Sequence, residues 1–131
     1  MAYLSLQEKL SNVSLLIEIA KADGVVNPAE ISYIFWVAKE YGLSELELGR
    51  LIADTAPLSR PIALRDRVKQ FHRCVTMMII DDHIAEEEVE RCEKIGLDLG
   101  LMAGDIALAL QEVRSLEEIP EPDRFYQIFK A

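Results

Sequence analysis

Thiols, histidines, basic residues and long apolar runs are all scarce in this sequence, and each scarcity removes a class of function. Only Cys74 and Cys92 occur among 131 residues, with neither a C-x-x-C nor a paired-histidine pattern. That spacing fits no thiolate zinc site and no disulfide framework, so two buried reduced thiols are expected. The longest apolar candidate, Val75 to Ile80, runs into Asp81 and Asp82, far short of the roughly 20 residues that a membrane span needs. The opening Met-Ala-Tyr-Leu-Ser has no basic start or apolar core of a secretory signal, and the expected location is the cytoplasm. With 14 basic against 23 acidic residues the formal charge is −9, which speaks against nucleic acid as a partner, since a polyanion needs a basic footprint. There is no G-x-S-x-G, no glycine-rich phosphate loop, no H-E-x-x-H and no Glu-x-x-His, so no catalytic constellation is in view. A non-enzymatic protein is expected.

What is present reads as helix from end to end. Half the residues are hydrophobic and 28% are charged, an ordinary globular balance for one domain spanning 1–131. Ser5 and Glu8 stand as a capping box before Leu6, Leu10, Val13, Ile17 and Ala20, whose spacing predicts a helix to about Ala22. Asn27, Pro28 and Glu30 mark a second start, with Ile31, Ile34, Phe35, Ala38 and Tyr41 as its expected buried stripe, and Gly42 as its end. Ser44 to Glu47 caps a third helix carrying Leu48, Leu51 and Ile52; Pro57 and Pro61 punctuate the next connection. Leu64 to Met78 predicts a long fourth helix, Glu86 to Glu88 opens a fifth that Gly100 ends, and Ile106, Leu108 and Leu110 mark a sixth. Residues 116–131 form an acidic, proline-bearing connection and a short aromatic final segment, read as a helix that docks on the core. Period-two alternation is nowhere convincing, so no strands are expected.

Slid along itself until Leu6 falls on Leu64, the sequence overlays its own second half without a gap. At that one offset Ile17 meets Val75, Asp23 meets Asp81, Glu30 meets Glu88, Gly42 meets Gly100 and Ile52 meets Leu110. The matches fall on the turn acid, the first-turn acid and the helix-ending glycine, the positions that define a helix–loop–helix unit. The expected architecture is therefore all-α, with two pseudo-two-fold-related repeats of about three helices, near 5–52 and 63–110, plus a short C-terminal helix.

At Ala22-Asp23-Gly24-Val25-Val26-Asn27-Pro28-Ala29-Glu30 the chain resembles the TerB-like family, known from tellurite-resistance proteins and from the N-terminal domain of membrane-anchored DnaJ-like co-chaperones. The resemblance covers about residues 5–112 and includes the duplicated helical layout. It implies a small, stress-associated helical module whose paired acidic residues hold a metal. Carried onto this sequence, the implied ligands are Asp23 and Glu30 in the first copy, Asp81 and Glu88 in the second. The second copy departs from the pattern: Asp82 replaces the glycine, His83 replaces Val25 and Ala85 replaces Asn27. Asp82 and His83 are thus further candidate ligands.

The residues themselves allow the same chemistry. A carboxylate at one helix end and another in the first turn of the next both face the connecting loop. Four such groups would raise one another's pKa unless a cation such as Ca²⁺, Mg²⁺ or Zn²⁺ joined them. The competing account is structural: Glu30 as capping partner of Asn27, Asp23 as a turn residue, Glu88 as a dipole-suited acid. An EF-hand is excluded, because the twelfth position counted from Asp23 is Ile34 and from Asp81 is Cys92. An enzyme using the acidic loops to hold a catalytic metal, or a plain scaffold, are the other two readings. Finally, Arg60, Arg65, Arg67, Lys69 and Arg73 against Asp66 give residues 60–73 a net +4, leaving −13 on the rest. This basic face, with His72 expected at its surface, is a candidate docking surface for an acidic partner or a second copy.

Overall fold

The first and third helices begin at a reciprocal cap that satisfies free backbone N–H groups. Ser5 Oγ accepts from Glu8 N–H at 3.1 Å while Glu8 Oε1 accepts from Ser5 N–H at 3.3 Å, and Ser44 with Glu47 repeats the arrangement at 3.1 and 3.0 Å. Those two backbone and hydroxyl bonds hold the Glu47 carboxyl below the usual carboxylate range. The computed structural model describes residues 4–22, 24, 28–80, 85–116 and 121–130. Among them it has seven helices and no strand: α1 (Leu6–Lys21), α2 (Pro28–Glu40), α3 (Glu45–Ala53), α4 (Leu64–Ile79), α5 (Glu86–Asp98), α6 (Ala103–Leu116) and α7 (Pro122–Lys130).

The helix bounds repeat at the spacing of the sequence repeat. The offset that carries Leu6 onto Leu64 also carries Lys21 onto Ile79, so α4 matches α1 at both ends. α5 matches α2 in the same way, and the start of α3 falls on the start of α6. The terminators repeat as well. Gly42 and Gly100 adopt φ of 74° and 83°, in the region where a side chain is strained. At each, the glycine N–H and the next N–H turn back onto helical carbonyls: Leu43 to Ala38 O in α2, Leu101 to Gly96 O in α5, both at 3.0 Å.

α1 and α4 cross at the centre, with α2 on α1, α5 on both α4 and α1, α6 on α5, and α7 on α4 and α6. One continuous core runs through both halves, from Val13, Leu16 and Ile19 to Phe71, Met77, Ile95, Leu99 and Phe125. Third helices differ between the halves, since α3 lies on α1 whereas α6 lies on α5 and α7. The place that α7 takes on α4 is matched on α1 by the connection after α3. Ser11 and Ser14 of α1 accept from Ser59 and Ala56 N–H, each at 2.9 Å. Ser14 corresponds to His72, whose ring meets Phe125 edge-on at 5.2 Å; the expectation of His72 at the surface is corrected, since it is partly covered by α7.

The stripe expected for α2 is corrected too. Its buried residues are Glu30, Ile34, Val37 and Ala38, while Ile31 and Phe35 are 42% and 48% exposed. Ile52, Leu108 and Leu6, placed on apolar stripes by their spacing, are likewise exposed. No helix among the described residues is long and apolar enough to cross a membrane.

Candidate functional site

Of the six candidate ligands, Glu30 and Glu88 lie within the described residues; Asp23, Asp81, Asp82 and His83 lie outside them, as does Asn27, the expected cap of α2. Glu30 sits in the first turn of α2, fixed there by Pro28 at the helix start, and Glu88 occupies the matching place in α5. Both are buried, at 2% and 3% exposure. Carboxylates are almost never this buried without compensation, because a desolvated charge costs several kcal/mol. Glu88 Oε1 accepts from the Ala85 N–H at 3.3 Å. Ala85 has no side-chain oxygen to cap in return, and its carbonyl accepts from the Glu88 N–H at 3.0 Å, so only half of a capping box survives in the second copy. Neighbouring Glu86 and Glu87 are exposed, and Glu86 pairs with Arg114 at 3.5 Å. Among the described residues no three of His, Cys, Asp and Glu converge as a metal group. The donor set that the two loops would complete is all carboxylate in the first copy, which suits hard cations.

A polar cleft of about 430 Å³ lies at the C-terminal end of α1, lined by Glu18, Lys21, Asp54, Thr55 and Arg91. Lys21 Nζ donates to the Ile52 carbonyl at 3.0 Å, tying α1 to the end of α3. The cleft mixes two acids with two bases beside the segment that leads to the first acidic loop.

The basic residues of 60–73 are largely engaged within the fold. Arg60 Nε donates to the Asp98 carbonyl at 2.9 Å and Arg67 to the Leu99 carbonyl at 3.4 Å. Both therefore cap the C-terminus of α5, where cations favour the helix dipole. Arg65 lies over the Tyr126 ring at 4.5 Å and pairs with Asp123 at 3.6 Å. Arg73 lies over Tyr41 at 4.8 Å and donates to its hydroxyl. Lys69 is exposed. A stripe that reads as one charged surface in sequence is thus divided among three internal jobs.

Two buried polar residues, Asn12 and Gln70, escape a reading of periodicity. Asn12 is 4% exposed and donates its amide to Tyr41 Oη, so Tyr41 joins α1, α2 and α4 through Asn12 and Arg73. Burial pushes the Tyr41 and Tyr33 hydroxyls up from the ordinary tyrosine value, against the pull of Arg73. Gln70, which matches Asn12 in the repeat, is 2% exposed, and polar residues at matched positions of two apolar stripes were the signal for both. Burial also raises both thiols, well above the ordinary range, with Cys92 Sγ 3.6 Å from the Cys74 carbonyl. Thiols held protonated are poor metal ligands and poor nucleophiles.

Comparison with family models, with curated proteins and with solved structures finds no match to this chain.

Proposed function

We propose that this protein is a non-enzymatic, TerB-like helical module, stress-associated, that binds a divalent cation, a protein partner or both through its paired acidic loops. The observation that carries the reading is the burial of Glu30 and Glu88, at 2% and 3% exposure, in the same turn of two repeat-related helices. Each follows a loop with an acid at the same remove, Asp23 and Asp81. In the second copy the capping Asn is Ala85, yet the glutamate remains, which favours a role beyond capping. Glu30 and Asp23 of one loop would hold the cation together with Glu88 and Asp81 of the other, with Asp82 and His83 as further candidate ligands. Such an ion would neutralise acids that the fold otherwise keeps close to a low-dielectric interior.

A ligand that binds only the folded state raises stability by about 2.7 kcal/mol at a hundredfold excess over Kd. Calcium, magnesium, manganese and zinc, titrated against the melting temperature of chelator-treated protein, should give a saturable rise with at least one. The rise should vanish in Asp23→Asn and in Asp81→Asn. No rise with any of the four metals returns Glu30 and Glu88 to capping duty.

A further inference from the structure

The outer face of α2 carries three large apolar side chains in water: Ile31 at 42%, Phe35 at 48% and Trp36 at 53% exposure. Tyr33 stacks on Trp36 with ring centroids 6.0 Å apart, which steadies the indole. Phe35 and Trp36 also wall one side of a groove of about 450 Å³ between α2 and α3, lined further by Leu43, Leu48, Lys39 and Glu45.

The second half of the chain shows that the fold does not require this surface. At the positions matching Phe35 and Trp36 stand Glu93 and Lys94 on α5, both exposed. There α6 packs directly on α5, whereas α2 and α3 make no comparable contact. Between α5 and α6 the clefts are smaller, about 370 and 170 Å³, and Glu93 lines both, so the matching place carries a charged wall in the second half and an aromatic wall in the first.

We propose that the α2 face is a homodimer contact, in which Phe35 and Trp36 of one protein molecule seat in the α2–α3 groove of a second copy. A two-fold contact needs one patch that is its own complement. This patch has both parts side by side, projecting rings and a groove, with one cation and one anion at the rim. The area also suits a small dimer. An aromatic side chain carries roughly 150–250 Å², so two half-exposed rings in each of two copies remove about 400 Å² of apolar surface before Ile31 and the groove walls are added. A contact at the lower end of specific interfaces buries about 1,200 Å² in total, somewhat more than half of it apolar.

Trp36 is the one tryptophan of the chain, so its emission reports on this face alone. Sedimentation over a concentration series should show monomer giving way to dimer, with the Trp36 emission shifting to shorter wavelength over the same range. Phe35→Glu copies the residue that the second half carries at the matching place; it should keep the helical circular dichroism and weaken association at least tenfold. Salt separates this contact from one made by residues 60–73. Two copies each bearing −9 repel, so screening should strengthen an apolar dimer and weaken a charge-paired one. A monomer up to millimolar concentration, a dimer that leaves Trp36 emission unchanged, or association that salt weakens would each overturn the proposal.

Discussion

Asn12 and Gln70 occupy the same place on α1 and α4, at matched positions of the repeat, and among the described residues only Asn12 has a hydrogen-bond partner for its amide. Asn12 donates to the Tyr41 hydroxyl. The position that would serve Gln70 in the same way is Leu99, which is fully buried and apolar. Neither the oxygen nor the nitrogen of the Gln70 amide finds a hydrogen bond among the described residues.

An unsatisfied buried amide costs about 1–3 kcal/mol, and an apolar side chain of similar shape avoids that cost. Gln70→Leu should therefore raise the stability to urea by about 1–2 kcal/mol. Asn12→Leu, the same change at the matched position, should lower it, because Tyr41 and Arg73 lose a member of their network. Equal signs for the two substitutions would contradict the assignment.

The alkaline limb of stability follows from groups that burial keeps protonated. Tyr33 and Tyr41 titrate above their ordinary value of 10.0 in the fold, and Cys74 and Cys92 above 9.0. In the unfolded chain these groups lose protons at the ordinary values, while the native state still holds them. The unfolded state then binds fewer protons, so stability falls as pH rises. Stability should be flat below about pH 8 in respect of these groups and decline from about pH 9 upward. Tyr41→Phe should soften that decline while lowering stability at neutral pH by about 1–3 kcal/mol, since it strands a buried amide and a guanidinium. Both thiols should resist a disulfide reagent at pH 8 until urea unfolds the chain.

Gly42 and Gly100 end matched helices at nearly the same φ, but their surroundings differ. A Cβ on Gly42 would meet nothing within 4 Å, whereas one on Gly100 would come within 2.9 Å of Arg67 and 3.0 Å of Arg60 guanidinium nitrogens. Gly42→Ala should cost about 1 kcal/mol, the ordinary penalty of a left-handed alanine. Gly100→Ala should cost more, because the two arginines that cap α5 must move. Thermal melts of the pair decide it: equal losses would mean that the arginine caps yield freely.

Helix starts and stops were legible because caps and terminators act locally. Ser5 and Ser44 with their glutamates, Pro28, Gly42 and Gly100 all stand where the spacing put them. Which face of α2 turns inward was not. Ile31, Ile34, Phe35, Trp36, Val37 and Ala38 make the helix apolar nearly all round, so the same residues thread two stripes. The structure buries the one that contains Glu30, a choice no hydrophobic count would make. The internal partners of the basic run of 60–73 were hidden for a related reason. Charge is visible in sequence, but a carbonyl at a distant helix end, such as that of Asp98 for Arg60, is not. That Glu30 and Glu88 stand in matching first turns was legible through the repeat, and their burial came from tertiary packing.

The connection between α3 and α4 is the natural place to cut or lengthen a duplicated chain, being non-helical and largely at the surface. Here it is laced to both halves. Ala56 and Ser59 hang from α1 through Ser14 and Ser11, and the very next residue, Arg60, reaches the end of α5. A few residues inserted between Ser59 and Arg60 would slacken a tie that crosses the whole molecule. With one core shared between the halves and this strap across them, the two halves should melt in one cooperative step rather than one after the other.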